Sequence, residues 1–438
     1  MQTVDLILEG HRIIPVEPAN TIYQDHAIVI DKGVIIDLLP IDEIHHQYHA
    51  KEHQHYPDHV LMPGFINAHT HAAMNLLRGL ADDLPLMAWL EKHIWPAEAT
   101  HVNEEFVADG TRLAIAEMIR SGTTCFNDMY FYADVTAKVA QQAGIRAVVG
   151  LIVLDFPTVW ASNADDYINK GLAINDQLKD YQLITTAFAP HAPYTVADEA
   201  LRHIQVLSNE LDLGIHMHIH ETVDEISQSL KLHQLRPLQR LDKLGMLTPN
   251  LQAVHMTQLL PEEIEMIAAN GVHVIHCPES NMKLASGMTP VAALLQAGAN
   301  VALGTDSAAS NNDLDMLSEI RSAALLAKAV AHDASVVNTM QAITMATLNG
   351  ARALGLDELT GSLIAGKYAD IIAIDMNNIE TQPLYHADSH VVYSSSRDHV
   401  SDVWVAGRQL LKNRELTGLN QKEILAKTTQ WQQRIHTS

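Results

Sequence analysis

The other features of this chain are best understood from one nine-residue segment, Pro63-Gly64-Phe65-Ile66-Asn67-Ala68-His69-Thr70-His71. It opens with a Pro-Gly turn, continues as a short apolar run and ends in two histidines separated by one residue. Residues i and i+2 of a strand point to the same side, so both imidazoles face one way at the strand end, where a metal ion can bind. The rest of the chain must then supply the missing ligands.

A His-x-His pair is weak evidence by itself. With 26 histidines in 438 residues, chance supplies roughly one or two such pairs. A second pair, His53-Gln54-His55, lies in the polar, histidine-rich stretch 44–59, which has no strand pattern. We interpret that stretch as a loop or irregular surface, so the metal hypothesis depends on ligands from the chain beyond residue 71.

Composition narrows the class of protein. The apolar content of 47% and the charged content of 18% are typical of a globular chain. A formal charge of −24 argues against nucleic acid and against an anionic membrane surface as partners. The two cysteines, Cys125 and Cys277, are far apart, and neither a signal peptide nor a membrane-spanning apolar run is present. We expect a cytoplasmic protein, and the sequence is compatible with a homo-oligomer.

From residue 63 onward, short apolar runs alternate with longer helical patterns. Helical patterns cover 103–120, 134–142, 197–211, 261–269 and 289–297, with two more at 313–330 and 334–355. Eight runs over about 250 residues have the size and rhythm of an α/β protein of the (β/α)₈ TIM-like barrel type, whereas a doubly wound sheet seldom needs eight such units. The eight runs are 65–69, Thr123–Asp128, Arg146–Val153, Leu183–Pro190, Gly214–His220, Leu251–His255, Val272–His276 and Asn300–Gly304.

Both ends of the chain are rich in strand patterns. Residues 4–9 and 27–39 indicate strands, the second range with a Lys32-Gly33 hairpin turn. Ranges 369–375, 390–393 and 403–405 indicate strands near the other end. We therefore predict a small β-sandwich domain formed by both termini, residues 1–62 and 363–438, and a metal-dependent hydrolase barrel over 63–362.

Barrels of this type carry their active sites at the C-terminal ends of the strands. A lone histidine there is most often a hydrogen-bonded core residue, and a lone aspartate most often caps the next helix. Six of the eight predicted strands end in such residues, however, and their convergence on one face favours a site. The strand-end residues are His69 and His71, then His191, then His216, His218, His220 and Glu221, then His255, His276 and Asp306.

Neutral imidazoles together with one carboxylate suit Zn²⁺ with an open position for water. Bound zinc lowers the pKa of that water towards neutrality, and a neighbouring carboxylate must then move protons. Glu221 is the best candidate for that role. In the fifth strand His216, His218 and His220 share one parity, and spacing alone does not choose the ligand among them.

The sequence resembles the amidohydrolase superfamily, and within it the 5′-methylthioadenosine/S-adenosylhomocysteine deaminases. The resemblance covers essentially the whole chain, and its motifs are specific as a set. They are residues 63–71, the segment 84–90 followed by Trp95-Pro-Ala-Glu98, Ala189-Pro-His-Ala-Pro-Tyr194, His218-Ile-His-Glu221, His276-Cys-Pro-Glu-Ser-Asn-Met-Lys283 and Gly304-Thr-Asp-Ser307.

The resemblance implies a role for each site residue. It chooses His218 within the triplet, because a metal histidine stands three residues before the catalytic glutamate in similar deaminases. It implies one zinc ion per subunit, for which iron can substitute, held by His69, His71, His218 and Asp306. It further implies that Glu221, His255 and Asp306 are catalytic, and that Glu98, His191, Glu221 and Asp306 bind the substrate, a small-molecule nucleoside.

Two absences refine the expected reaction. No lysine occurs in 183–191, where similar binuclear enzymes carry a metal-bridging lysine, and this favours one metal ion and deamination. No arginine follows the third strand, where the segment Leu154-Asp-Phe-Pro-Thr-Val-Trp160 is apolar and aromatic. We expect better handling of methylthioadenosine than of S-adenosylhomocysteine, unless Arg78 serves the charged tail. The equally weighted alternative is that Phe156 and Trp160 only pack the loop.

Other functions compete with this hypothesis. Within the superfamily, deamination of guanine or cytosine and dechlorination of a triazine are the alternatives, and only the segment 84–98 argues against them. From another class, a non-catalytic metal-binding or storage protein is the alternative. Ligands spread over distant strand ends, with Glu221 beside them, argue against that class.

Overall fold

In the computed structural model, which describes residues 1–437, the chain begins with four strands of a mixed sheet. The predicted hairpin at Lys32-Gly33 is confirmed, since the strands on either side of it pair antiparallel. The interpretation of 44–59 as a loop is wrong: a helix covers Ile41–Gln47, and a strand comes directly after it. The four strands are β1 Gln2–Ile13, β2 Tyr23–Asp31, β3 Val34–Pro40 and β4 Tyr48–Pro63.

The first part of β4 is a strand because its backbone pairs in parallel with β1, from Gln2 opposite Tyr48 onward. Most of its side chains up to residue 58 face solvent, so the sequence shows no alternation of apolar and polar residues there. From Val60 to Pro63 the strand is buried, and it then runs through Gly64 into the barrel. A Cβ atom at Gly64 would lie 2.1 Å from Thr124 Cγ2, so the passage between sheet and barrel requires glycine.

The eight predicted apolar runs form a parallel sheet in which each strand pairs with its neighbours in chain order. A parallel bridge between Thr70 and Asp306 brings the last strand beside the first, so the sheet closes into a barrel. The predicted barrel fold is therefore confirmed. Its strands are β5 Phe65–Thr70, β6 Thr123–Tyr130, β7 Arg146–Val153, β8 Ile184–Pro190, β9 Gly214–Ile219, β10 Leu251–His255, β11 His273–His276 and β12 Asn300–Leu303.

The C-terminal part of the chain returns to the first sheet. Strands β13 Ile371–Asp375, β14 Val400–Val405, β15 Arg408–Lys412 and β16 Glu415–Leu416 extend it in the order β16-β15-β14-β13-β4-β1-β2-β3. The expected contribution of both termini to one small β-structure is confirmed. The predicted strand at 390–393 is wrong, because these residues end a helix, Ala387–Tyr393. The domain limits at 62/63 and 362/363 stay predictions.

Helices surround the barrel and connect its strands. Within residues 1–437, no helix combines the length and the apolar character needed to cross a bilayer. The longer helices are Glu104–Arg120, Ala133–Ala143, Ala164–Leu178, Asp198–Leu211, Val223–His233, Pro261–Ala269, Met316–Ala331 and Gln421–His436. Shorter ones cover Leu86–Trp89, Trp95–His101, Pro237–Lys243, Pro278–Lys283, Val291–Gln296, Thr339–Met345, Leu348–Ala353 and Ala387–Tyr393. A π-helix covers Leu90–Ile94, and 3₁₀ helices cover Ala72–Leu77, Ile379–Thr381 and Arg397–His399.

Candidate active site

Four side chains converge at the C-terminal ends of β5, β9 and β12. His69 Nε2 lies 3.2 Å from His218 Nε2 and 3.3 Å from Asp306 Oδ1, and His71 Nε2 also lies 3.3 Å from Asp306 Oδ1. Ligand atoms about 2.0–2.2 Å from a zinc ion stand roughly 3.3–3.6 Å apart when the angles are tetrahedral. The spacing of these four groups therefore fits a single metal ion.

The second nitrogen of each imidazole has its own partner, which orients the ring. His71 Nδ1 donates to the Met129 carbonyl at 2.6 Å, and His218 Nδ1 donates to the His191 carbonyl at 2.9 Å. His69 Nδ1 lies 2.8 Å from Nε2 of His216, which sits deeper in the barrel. With the Nδ1 protons held in this way, the Nε2 lone pairs face the common centre.

The charge states of these groups also suit a metal. Burial lowers the pKa of His69 to about 4 and that of His218 well below its usual value, so both imidazoles stay neutral at physiological pH. Burial alone would raise the pKa of Asp306, but its hydrogen bonds to His69 and His71 lower it well below the usual value. His69, His218 and Asp306 thus offer lone pairs without having to lose protons. His71 differs: burial alone would lower its pKa, but its hydrogen bond and charge interaction with Asp306 outweigh burial and raise the pKa, so this imidazole must release any proton that it carries before it binds a metal.

Asp306 is held in a fixed orientation. Its backbone has φ 62°, a left-handed conformation that residues other than glycine rarely adopt, and its amide donates to the His69 carbonyl at 3.0 Å. Ser280 Oγ donates to Asp306 Oδ2 at 2.6 Å and leaves Oδ1 facing the histidines. Sequence reasoning missed Ser280, although it lies within the motif that begins at His276.

Glu221 and His255 lie at one side of this centre. Glu221 Oε2 is 3.7 Å from His255 Nε2, and Ser286 Oγ is 3.5 Å from Glu221 Oε1. His255 Nδ1 donates to Asn281 Oδ1 at 2.9 Å, which turns Nε2 towards Glu221. Burial raises the pKa of Glu221, so this carboxyl group keeps a proton more readily than an exposed glutamate.

The histidine triplet of β9 divides into three environments. His216 and His218 point into the barrel, whereas His220 lies just past the end of the strand with φ 55°. His220 Nε2 accepts a hydrogen bond from the Leu238 amide at 3.1 Å, and its ring packs away from the four-residue centre. Both carboxylate oxygens of Glu225 accept backbone amides of this turn, from His220 at 3.0 Å and from Glu221 at 2.7 Å.

A cavity of about 540 Å³ opens above the centre. His71, His191, His218, Glu221, His255 and Asp306 line its floor, and the walls are mainly apolar and aromatic, from residues that include Trp89, Ile94, Phe131, Leu154, Phe156 and Val159. No lysine or arginine is found among the described residues that line it. This volume is within the range of small-molecule sites.

Glu98 is the carboxylate on the wall of the cavity. Tyr130 Oη donates to Glu98 Oε1 at 2.8 Å. Burial raises the pKa of Glu98 to about 7, although the hydrogen bond from Tyr130 opposes the shift. His191 also faces the cavity, and its Nδ1 lies 3.1 Å from Thr195 Oγ1. His276, another strand-end histidine, is buried and is absent from the cavity lining.

Comparisons with known proteins agree with this geometry. The model of the amidohydrolase family matches residues 60–410. A protein of Teredinibacter turnerae named 5-methylthioadenosine/S-adenosylhomocysteine deaminase is 50% identical over 99% of this chain and 98% of its own length. A 5′-deoxyadenosine deaminase of Methanothermobacter thermautotrophicus is 43% identical over 84% of this chain and 85% of its own. The crystal structure of an adenosine deaminase from Xanthomonas campestris with bound zinc superposes with a TM-score of 0.99, at 50% identity and full coverage of both chains.

Proposed function

The chain belongs to the amidohydrolase family and is a metal-dependent aminohydrolase, and we propose that it deaminates an adenine nucleoside thioether. The reaction would convert 5′-methylthioadenosine to 5′-methylthioinosine with release of ammonia. The observation that carries this proposal is the convergence of His69, His71, His218 and Asp306 beneath a mainly apolar cavity, with Glu221 at its floor. A relative named as a deaminase of the two thioethers, and another named for 5′-deoxyadenosine, support the choice of substrate.

We propose that His69, His71, His218 and Asp306 hold one zinc ion. The bound ion supplies a Lewis acid that makes water nucleophilic near neutral pH. The three imidazoles and one carboxylate suit zinc, and the zinc in the Xanthomonas campestris structure supports that choice, although iron also binds such ligands. One ion is preferred to two because β8 contains no lysine that could bridge a second metal.

The proton movements fall to three residues of the chain. Asp306 and His255 orient the attacking water and accept its proton. Burial raises the pKa of Glu221 and so favours its protonated form, and this carboxyl group gives a proton to the neighbouring ring nitrogen of the adenine. The water oxygen bonds to the amino-bearing carbon, and the first water proton passes through His255 or Asp306 to the amine. The carbon–nitrogen bond then breaks and ammonia leaves, while the second water proton returns to Glu221 as the carbon becomes a carbonyl.

Substrate binding would use the upper part of the cavity. Glu98 can accept hydrogen bonds from two ribose hydroxyls, and Tyr130 fixes the orientation of its carboxylate. His191 would hold the substrate from the opposite side of the floor. The apolar wall formed by residues such as Ile152, Leu154 and Phe156 provides a surface for an uncharged thioether.

The described residues that line the cavity include no lysine or arginine for a charged tail. Arg78, which the sequence leaves open as a candidate, pairs with Glu117 and is not part of the cavity lining. S-adenosylhomocysteine carries a carboxylate, and burying it without a partner is unfavourable. We therefore propose that methylthioadenosine is the better substrate. Phe156 lines the cavity, whereas Trp160 packs against Tyr132 with ring centroids 4.8 Å apart and so serves the loop.

The alternative reactions have less support. The Teredinibacter, Methanothermobacter and Xanthomonas proteins are all named for adenine nucleosides, and none of the three is named for guanine, cytosine or a triazine. A storage protein would need no buried proton carrier, and Glu221 is buried beside the centre. An adenine nucleoside is thus the proposed small-molecule substrate.

An ammonia-release panel tests the proposed substrate. The purified metal-loaded enzyme is assayed with methylthioadenosine, S-adenosylhomocysteine, adenosine, guanine and cytosine at matched concentrations. We expect the highest kcat/KM with methylthioadenosine and a lower one with S-adenosylhomocysteine, mainly through KM. Ammonia release from guanine or cytosine with none from the adenosine compounds would overturn the proposal, and equal kcat/KM for the two thioethers would overturn the tail argument.

A further inference from the structure

A second group of metal-binding side chains lies on the terminal sheet, away from the barrel mouth. It consists of Glu9 on β1 with His53 and His55 on β4, and their ligand atoms all lie within 4.8 Å of one another. The two strands are parallel, with Ile7 opposite His53 and Glu9 opposite His55. The two histidines therefore project from one face of β4, and the carboxylate of Glu9 reaches between them.

The three side chains already share their polar atoms. His53 Nε2 lies 2.6 Å from Glu9 Oε1, and His55 Nδ1 lies 2.7 Å from Glu9 Oε2. The imidazole rings stack with centroids 4.6 Å apart. The side chain of Glu9 is only 10% exposed, whereas those of His53 and His55 are 30% and 64% exposed. A buried carboxylate is thus covered by two imidazoles that solvent reaches.

We propose that Glu9, His53 and His55 form a second, peripheral binding site for a borderline divalent cation such as Zn²⁺ or Ni²⁺. Two imidazole nitrogens and a carboxylate are ligands that such ions prefer, and water completes the coordination from the solvent side. The present nitrogen–oxygen distances are somewhat shorter than those around a metal ion. Rotation of the two exposed histidines would have to lengthen these contacts by roughly 0.6–1.0 Å to reach the spacing around a tetrahedral ion.

A hydrogen-bonded contact without a metal ion is the competing explanation. Each of the two neutral imidazoles can donate one hydrogen bond to one carboxylate oxygen, and this satisfies Glu9 without an ion. A metal ion differs from that contact in its consequences, because it would join β1 to β4 through three bonds. Ligands that bind only the folded state stabilise it by an amount that grows with the logarithm of their concentration above Kd, so the ion would raise the melting temperature.

Nickel uptake tests the proposal. The metal-loaded chain, without an added histidine tag, is equilibrated with Ni²⁺, and nickel per chain is counted separately from the resident metal by mass spectrometry. The double variant H53Q/H55Q provides the comparison, because glutamine keeps an amide donor for Glu9 but is a poor ligand for this ion. The single variant H55Q changes the most exposed of the three side chains and guards against misfolding of the double variant.

We expect the unmodified chain to bind about one nickel ion more than either variant. Its melting temperature should rise with added nickel, and that of the variants should not. His49 lies on the same strand and is exposed, but it is four residues from His53, so H49Q is the matched control and should bind nickel as the unmodified chain does. Equal nickel uptake by the unmodified chain, H55Q and H53Q/H55Q would overturn the proposal. All variants should retain deaminase activity, since these residues lie outside the barrel site.

Discussion

Carboxyl groups at the barrel mouth have different proton affinities although all are glutamate or aspartate. Burial raises the pKa of Glu221 and that of Glu98, the latter to about 7, while hydrogen bonds to His69 and His71 lower the pKa of Asp306 despite its burial. Environments that separate pKa values in this way assign acid and base roles. These directions suit the proposed roles of Glu221 as a proton carrier and of Asp306 as a metal ligand and proton acceptor.

The raised pKa of Glu98 should make KM depend on pH near neutrality. If its carboxylate accepts ribose hydroxyls, protonation below its pKa of about 7 removes an acceptor, so KM for methylthioadenosine should rise as pH falls through that value. The variant E98Q should show a high KM at all pH values. In Y130F the carboxylate loses the hydrogen bond that lowers its pKa, so the rise in KM should begin at higher pH. The measurement is KM against pH for the three proteins.

A KM of the unmodified enzyme that is independent of pH around neutrality, while E98Q binds normally, would contradict this role for Glu98. The variant T100A is a suitable control, because Thr100 lies in the same short helix and its hydroxyl donates to the Pro96 carbonyl of that helix.

At the scale of elements, the end of β9 separates two neighbouring histidines. His218 lies inside the strand and faces His69, whereas His220 lies in the turn beyond it and accepts the Leu238 amide. The sequence leaves this choice open because all three histidines share parity. The left-handed backbone at His220 ends the alternation of side-chain directions, so His220 does not point to the same side as His218. The residue types in this segment do not predict that conformation.

Alanine variants of the two histidines should therefore differ. H218A should lose metal, because one of the four proposed ligands is removed, and its activity should fall with the metal content. H220A should keep its metal but melt at a lower temperature, since a buried amide loses its acceptor at a cost of about 1–3 kcal/mol. Metal analysis and thermal melting of both variants check this. Metal loss in H220A with retention in H218A would show that the wrong member of the triplet was chosen.

Sequence patterns predicted the elements where burial dictates residue type. The eight barrel strands are apolar because both of their faces are covered, and their bounds agree with the prediction to within a residue or two. The sequence does not predict the solvent-facing first part of β4 as a strand, nor Ala387–Tyr393 as a helix, and the two reasons differ. The first is polar and paired through its backbone, and the second contains a short apolar run that suits either a helix or a strand.

The same distinction applies to the site. The residues proposed for metal binding and proton transfer are recognisable in the sequence from their type and from their position at strand ends. Side chains that orient them, such as Ser280, Asn281 and Tyr130, are of common types and lie on other elements. Their roles depend on distances that only the folded chain defines.

A buried ion pair joins the two parts of the molecule, the barrel and the terminal sheet. Arg146 at the start of β7 donates to both carboxylate oxygens of Asp370, at 3.0 and 3.3 Å. Asp370 also accepts the Thr360 hydroxyl and the Ala406 amide, at 2.9 and 2.7 Å. The side chains are 3% and 0% exposed, so neither charge has water as a substitute partner.

Removal of one partner should destabilise both parts. In R146M the free energy of unfolding should fall by about 3–5 kcal/mol, because Asp370 keeps a buried charge without its cation. The variant K179M removes an exposed pair with Asp176, whose side chains are 67% and 70% exposed, and should change stability little. Urea denaturation of the two variants measures the difference. Equal stability of R146M and K179M would mean that the buried pair does not secure the junction.

We propose that Glu221 carries the proton when the metal-centred barrel site deaminates a nucleoside. The most direct measurement is ammonia release from methylthioadenosine by the unmodified enzyme and by E221Q, with the metal content of each determined on the same samples. We predict equal metal content and a loss of kcat in E221Q of about 10²–10⁴-fold. Full activity in E221Q would contradict the claim.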